Sequence, residues 1–222
     1  MRLIFKNSFN NKIIFPLFTK DTNLMTFQDF LSHYDNHDSI IILAGKRKVA
    51  KEDEEKLVLL GRLLAKHTKH AFFRSGNADG ADYLFSSGIA GVDRTLLQVI
   101  TPWEGHRRKH VLTDDVIPLD SIDLTREPDV IAQSRLHART SGLIDPFISG
   151  EKGGNYMSAA YIIRDTVMVI GSEELAPATF GIFYDDLQQP EQGGTGHTLK
   201  TCRRNNLPVI DQRTWMGWLD EQ

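Results

Sequence analysis

Residues 39–47 read SIIILAGKR. An apolar, β-branched run that stops at a glycine is the signature of a strand buried on both faces, since a half-buried strand would alternate with polar residues. The next segment changes period. Leu57, Leu60 and Leu64 recur at helical spacing within an otherwise polar stretch, which predicts an amphipathic helix over about 51–67. Strand, glycine turn, helix is therefore the unit to look for elsewhere in the chain.

It recurs. Residues 71–74 form a short apolar run ending in Ser75-Gly76, with a helical pattern near 79–88. Residues 96–100 make a third strand, closed by Pro102. After residue 150 the spacing predicts a helix near 155–164 and a strand over 166–171 (TVMVIG). A strand over 179–184, a helix over about 196–205, a strand over 207–210 and a terminal helix over 215–219 complete the pattern. Short strands alternating with helices predict an α/β fold whose mostly parallel sheet is covered on both faces.

Two segments stand outside this alternation. Residues 1–38 read as an N-terminal extension. In it, 3–5 and 13–18 are apolar runs separated by Asn7-Ser8 and Asn10-Asn11, suggestive of a hairpin. Thr26 is placed to cap a helix over 27–34. Residues 103–150 are polar, rich in His, Arg and Asp, and carry Pro118, Pro128 and Pro146. They read as an insertion or lid with a helix over about 127–139. The chain is thus expected to form a single domain over 1–222, with a core from 39–102 and 151–215.

Composition narrows the partners. The 222 residues are 41% hydrophobic and 25% charged, which are globular values. The formal net charge of −3 argues against a duplex-DNA binder, which usually carries a basic excess. A single cysteine, Cys202, allows no intrachain disulfide and suits a reducing compartment. No apolar run approaches the roughly 18 residues of a membrane span, and the first residues lack the apolar core of a signal peptide. A cytoplasmic protein without a membrane partner is the expectation.

Ligands of open parallel sheets sit beyond the carboxyl ends of the strands. Four loops there carry chemistry. Gly45-Lys46-Arg47 pairs close backbone approach with two cations, the alternative being an ordinary turn with solvated charges. Residues 75–82 (SGNADGAD) place Ser75, Gly76, Asn77 and Gly80 before a helix whose free N–H groups attract an anion. Asp82 suits a sugar hydroxyl, and the alternative is that Asp79 or Asp82 caps that helix. Residues 193–198 (GGTGHT) open another helix with Gly193, Gly194, Thr195, Gly196, His197 and Thr198. The loop is neither a Walker A sequence nor a dinucleotide fingerprint, and its hydroxyls suit a phosphate. Asn155 and Tyr156, after Gly153 and Gly154, suit a base or ribose, although Tyr156 equally suits packing.

Other residues read as structural. His106, His110 and His137 lack zinc-like spacing with Cys or Glu, so no metal site is expected. Trp103, Trp215 and Trp218 read mainly as packing or interface residues, and Cys202 as a small apolar filler within a helix.

Taken together, these segments resemble the SLOG superfamily. SGNADGAD is similar to that superfamily's first glycine loop. GGTGHT followed by LKTCRRNNLPVID resembles its second loop, helix and strand. GGNYMSAAYIIRDTVMVIG is similar to a segment of the circularly permuted YpsA-like branch, and GKR to its opening turn. The likeness spans about residues 39–215 apart from the insertion. It implies a Rossmann-like fold, a three-layer sandwich, and a nucleotide-type ligand such as a mononucleotide, NAD or an ADP-ribose derivative. The superfamily includes LOG-type phosphoribohydrolases, the DNA-processing protein A and nucleotide-sensing domains. This chain departs from the hydrolases where their catalytic Glu would stand: Lys200, or Thr201 in the neighbouring register, occupies that place. Gly154 also replaces an Arg common in the permuted branch. The expected function is therefore binding or sensing of a nucleotide-type phosphate. The alternative is an N-glycosidic hydrolase or transferase using Asp82, Asp165 or His197, and single-stranded DNA binding ranks below both. A homodimer pairing through helices, with Trp215 or Trp218 contributing, is a further expectation.

Overall fold

The computed structural model describes residues 25–151, 153 and 155–220; the suggested hairpin over 3–5 and 13–18 lies outside them. Six strands form one parallel sheet: β1 (Ile40–Gly45), β2 (Phe72–Ser75), β3 (Leu97–Thr101), β4 (Asp115–Pro118), β5 (Phe180–Tyr184) and β6 (Val209–Ile210). Their order is β4-β3-β2-β1-β5-β6. The chain builds outward from β1 in one direction, then crosses back to place β5 on its other side. The strand order therefore reverses between β1 and β5, the point at which doubly wound sheets leave a crevice. The register there aligns Leu43 with Ile182 and Gly45 with Tyr184. The molecule is a Rossmann-like α/β sandwich.

The apolar run of β1 divides between two cores, as a strand buried on both faces requires. Ile41 and Leu43 join one core beneath α1 (Phe27–Tyr34), α2 (Glu54–His67), α3 (Ala81–Asp93) and α8 (Gln212–Asp220). Ile40, Ile42 and Ala44 join the other, beneath α4 (Pro128–Ser134), α5 (Ser141–Ile148), α6 (Tyr156–Ile170) and α7 (Gly193–Arg204). On the first face α2 and α3 touch at two glycines. A β-carbon on Gly61 would lie 2.3 Å from Phe85 O, and one on Gly88 2.2 Å from Val58 O. Thr26 caps α1 as its sequence predicts. Its hydroxyl accepts the Asp29 N–H at 3.1 Å while the Asp29 carboxylate accepts the Thr26 N–H at 3.1 Å, a reciprocal cap of the kind that stabilises a helix by about 1 kcal/mol.

One element is corrected. Residues 166–171 are not a strand but the last turns of α6, which runs unbroken from Tyr156 to Ile170 and ends at Gly171 with φ +71°. The physical reason is burial on all sides. Helix α6 lies on the sheet, and α4, α5 and α7 lie on it. Every residue from Ile162 to Val169 is buried, so the helical period has no polar face to show and the stretch reads as an apolar strand. The strand feeding the GGTGHT segment is β5.

Residues 103–150 build β4, α4 and α5, and bury Leu119, Val130, Ile131 and Ile144 in the core beneath α6. The expected helix over 127–139 is shorter: α4 ends at Ser134, and a turn over 135–140 leads into α5. Trp215 and Trp218 are 0% and 1% exposed. Their indole N–H groups donate to Phe183 O and Met25 O at 2.9 and 2.8 Å, so both belong to the core and neither is available to a dimer surface. Cys202 is fully buried, and burial pushes its thiol up to about 12, as befits a filler. Among the described residues no helix is long and apolar enough to cross a membrane.

Candidate ligand-binding cleft

A cleft of about 730 Å³ opens at the carboxyl ends of β1 and β5, where the strand order reverses. Three walls define it. The first is the turn after β1, Gly45-Lys46-Arg47. The second is the start of α7, with Gln192, Gly193, Gly194, Thr195 and Thr198. The third is one stripe of α6, with Asn155, Ser158, Tyr161, Ile162, Asp165 and Met168; His137, Arg139 and Thr140 border the rim.

The start of α7 presents unoccupied backbone. Gln192 is its N-cap and makes no side-chain cap. The first intrahelical bond at this end runs from Gly196 N to Gln192 O at 3.1 Å. Among the described residues no acceptor stands on the amides of Gly193, Gly194 or Thr195, which carry the positive end of a twelve-residue helix into the cleft. Gly193 holds φ +63°, a left-handed conformation that favours glycine, with open space around it. Gly196 is different. A β-carbon there would strike Glu191 O, so it serves the turn and not the ligand. Thr198 donates to Gly194 O at 3.0 Å.

The turn after β1 is held tightly. Lys46 N donates to Tyr184 O at 2.9 Å, and a β-carbon on Gly45 would lie 2.4 Å from that oxygen. Lys46 Nζ lies 3.5 Å from Asp186. Arg47 stands over the ring of Tyr161, 5.6 Å from its centroid, and Arg164 stands 5.7 Å from the same ring. The Tyr161 hydroxyl meets His106 Nε2 at 3.0 Å. The lining thus carries Lys46, Arg47, Arg139 and Arg164 against Asp82 and Asp165, a formal +2 in a chain of −3.

The 75–82 loop is placed otherwise than its sequence suggests. Ser75, Gly76 and Asn77 are buried and do not line the cleft. Two features fill the space in front of them. The buried Arg164 guanidinium bonds Gly76 O, and a β-carbon on Gly76 would collide with it. Residues 103–110 fold over the loop from outside: Arg107 pairs with Asp79 at 2.9 Å and donates to Asn77 O at 3.4 Å. Gly80, at φ +78°, packs against the Arg47 carbonyl. The loop's Ala78 N–H is turned inward to Asp82 at 3.4 Å, and Asp82 also accepts the Gly45 N–H from the end of β1 at 3.0 Å. Burial holds the Asp82 carboxyl above the usual range in spite of Arg164 and these N–H groups.

Of the three carboxylate and imidazole candidates, only Asp165 faces the cleft with its acceptors free of backbone donors. It is 7% exposed, and burial pushes its carboxyl up to about 6, Arg164 opposing and Asp82 reinforcing the shift. His197 lies in the α6–α7 interface and does not line the cleft. Its Nε2 meets Thr166 Oγ1 at 2.8 Å, and burial holds it near 3, hence neutral. Lys200 is exposed and Thr201 donates to His197 O at 2.9 Å, so neither reaches the cleft. Glu191 is engaged by Arg203. Tyr156 packs on Phe147 at 4.4 Å, the packing alternative.

Ser158, Tyr161 and Arg139 are cleft residues that a reading of the sequence passes over. Asn155, Ser158, Tyr161 and Asp165 recur at three and four residues. Asn155, Ser158 and Tyr161 fall within the helix expected near 155–164 and share one face of it; only Asp165 lies beyond that span, and its place on the same face follows once α6 is known to be continuous.

The fold and cleft define a Rossmann-like α/β protein with a crevice of formal charge +2 at its topological switch point. The chain matches no protein-family model and no curated protein. Among solved structures it is similar to DNA processing protein A from Helicobacter pylori, described for its single-stranded DNA binding mode, at 13% identity and a TM-score of 0.48. The match covers 79% of this chain and 65% of that one, so the chain spans about two thirds of that protein's length.

Proposed function

We propose that the cleft binds a phosphate-bearing small molecule of the nucleotide type, with the phosphate on the amides of Gly193, Gly194 and Thr195. The observation that carries this reading is the start of α7. Its capless N-terminus opens opposite Gly45-Lys46-Arg47, and helix N-termini with free amides hold phosphates through both hydrogen bonds and the dipole. Arg47 and Arg139 add charge at the cleft. Its size accommodates a mononucleotide or a larger derivative such as NAD or ADP-ribose. Asn155 and Ser158, on the α6 stripe, are placed for the rest of the ligand. The glycine loop at 75–80 supports the site from behind.

A hydrolytic reading has one observation in its favour. Asp165 is a buried carboxyl in the cleft held near the working range of a proton carrier. A single DNA strand fits less well, given the net charge of −3 and two carboxylates in the wall.

Isothermal calorimetry with inorganic phosphate, AMP, NAD and ADP-ribose tests binding. Saturable binding that weakens with salt is expected. Absence of heat and of thermal stabilisation with all four would refute the reading. Release of free base or ribose phosphate from a bound nucleotide would move the protein to the hydrolytic reading.

A further inference from the structure

Two buried carboxylates stand in the wall of the cleft, and the protein treats them differently. Asp82 accepts backbone N–H groups from Gly45 at 3.0 Å and Ala78 at 3.4 Å. It is a clip. Asp165 is 7% exposed, yet among the described residues no N–H or O–H donates to its carboxylate. Its one ionic partner is the neighbouring Arg164, whose Nε lies 2.9 Å from Oδ1 without its N–H directed at any acceptor. Its oxygens are not sealed away from solvent but open onto the cleft, where they are free to accept from water or from a ligand.

Where Asp165 points narrows the donor. A β-carbon on Gly194 would lie 3.1 Å from Asp165 Oδ2. This free acceptor therefore stands beside the amides proposed to hold the phosphate. A second anionic group would be repelled there. A cationic group would have to displace the pairing with Arg164 and sit near Arg47, which also acts on Asp165. The donor that fits is a neutral hydroxyl within a few bonds of the phosphate. In a nucleotide that group is the pentose, since the base lies further along the ligand.

We infer that Asp165 accepts a ring hydroxyl of the phosphorylated pentose, which makes the cleft selective for ribose over deoxyribose ligands. This rests on the proposed phosphate reading and goes beyond it: a site for phosphate alone has no need of Asp165, whereas a ribose-selective site depends on it. It also moves the sugar contact from Asp82, where the sequence alone suggests it, to a residue on another helix. Sites built to bond a hydroxyl discriminate sharply against analogues that lack it, because a buried polar group is then left unpaired.

The test is competition calorimetry with AMP, 2′-deoxy-AMP and 3′-deoxy-AMP, and with ribose 5-phosphate against 2-deoxyribose 5-phosphate to remove the base. In the wild-type chain at least one deoxy analogue is expected to bind about tenfold or more weakly than its ribo counterpart. In Asp165→Ala the gap is expected to close to about twofold with phosphate binding retained. Asp165→Asn keeps one acceptor oxygen and an intermediate gap, and serves where the alanine variant does not fold. Equal affinity of the wild-type chain for every ribo and deoxy pair overturns the inference while leaving the phosphate site standing. A gap that survives Asp165→Ala also overturns it, assigning the discrimination to another residue. Failure of inorganic phosphate and every probe to bind removes the phosphate reading as well.

Discussion

Asp82 Oδ1 accepts the backbone N–H of Gly45 at 3.0 Å, tying the first turn of α3 to the end of β1 across 37 residues of chain. The same carboxylate takes the Ala78 N–H and faces Arg164. The bond joins the two glycine turns that flank the cleft and sets where Lys46 and Arg47 stand.

Asp82→Ala is therefore expected to destabilise the fold by about 3 kcal/mol, because it orphans buried N–H groups and removes a partner of a buried guanidinium. Asp165→Asn is expected to act in the opposite direction at pH 7–8. Its carboxyl is raised from 3.8 to about 6 on folding. The folded state thus disfavours the ionised form, and the resulting penalty grows as pH rises through that window and is full above it. Removing the charge relieves this penalty, which is already net of the attraction to Arg164, for a gain on the order of 1 kcal/mol. Urea denaturation of the two variants distinguishes them, and a similar loss in both would contradict the distinction between clip and ligand acceptor.

Two glycines of the cleft should separate packing from binding. A β-carbon at Gly45 would lie 2.4 Å from Tyr184 O and 2.8 Å from Ala81 Cβ, so Gly45→Ala must push β1 and β5 apart. A loss of about 2 kcal/mol or more is expected. Gly194 meets only Asp165 Oδ2, at 3.1 Å, a tight contact with the end of a side chain that a small shift of that carboxylate relieves. Gly194→Asp is expected to keep its melting temperature within a few degrees, with ~1 kcal/mol as the scale, and to lose phosphate binding through charge repulsion. Circular dichroism melts paired with calorimetry check both halves; undiminished affinity in Gly194→Asp would count against the α7 assignment.

Acid stability reports on the buried histidines. Burial lowers His197 to about 3 and His106 to about 4, against 6.5 when unfolded. Above 6.5 both states are neutral and neither group affects stability. As pH falls below 6.5 the unfolded chain takes up protons that the folded chain refuses, so stability is lost progressively down to about 4 for His106 and about 3 for His197. Thr166 Oγ1 donates to Ile162 O at 3.0 Å, which leaves it to accept from the Ser134 hydroxyl and from His197 Nε2–H, an assignment made by the network. His197→Gln preserves a donor, so its stability is expected to fall less steeply between pH 6.5 and 4 than that of the parent chain. Denaturation midpoints across that range check this; parallel curves would show that His197 does not govern the acid limb.

How much of this was legible in the chain varies by element. The SIIILA run, the leucine period of α2, the Thr26 cap and the glycines that open α7 act through local backbone and burial demands, and each can be read where it stands. The second half of α6 could not be read so, because a helix buried on every side displays the same uniform apolarity as a central strand. That misreading also separated Asp165 from Asn155, Ser158 and Tyr161, which share its face of the helix and form a wall of the cleft.

The amino-acid sequence by itself determined the α/β alternation and the glycine-rich strand ends, since these follow from periodicity and from conformations and close contacts that only glycine allows. Which of those glycine loops keeps its amides open was decided by the tertiary structure alone. Arg164 and the 103–110 segment arrive from distant positions, and Asp82 turns back from the following helix, to occupy the loop at 75–80, whereas no acceptor among the described residues stands on the amides of Gly193 to Thr195. A hydrogen bond needs its partner within about 3 Å, and only folding determines which partners come that close.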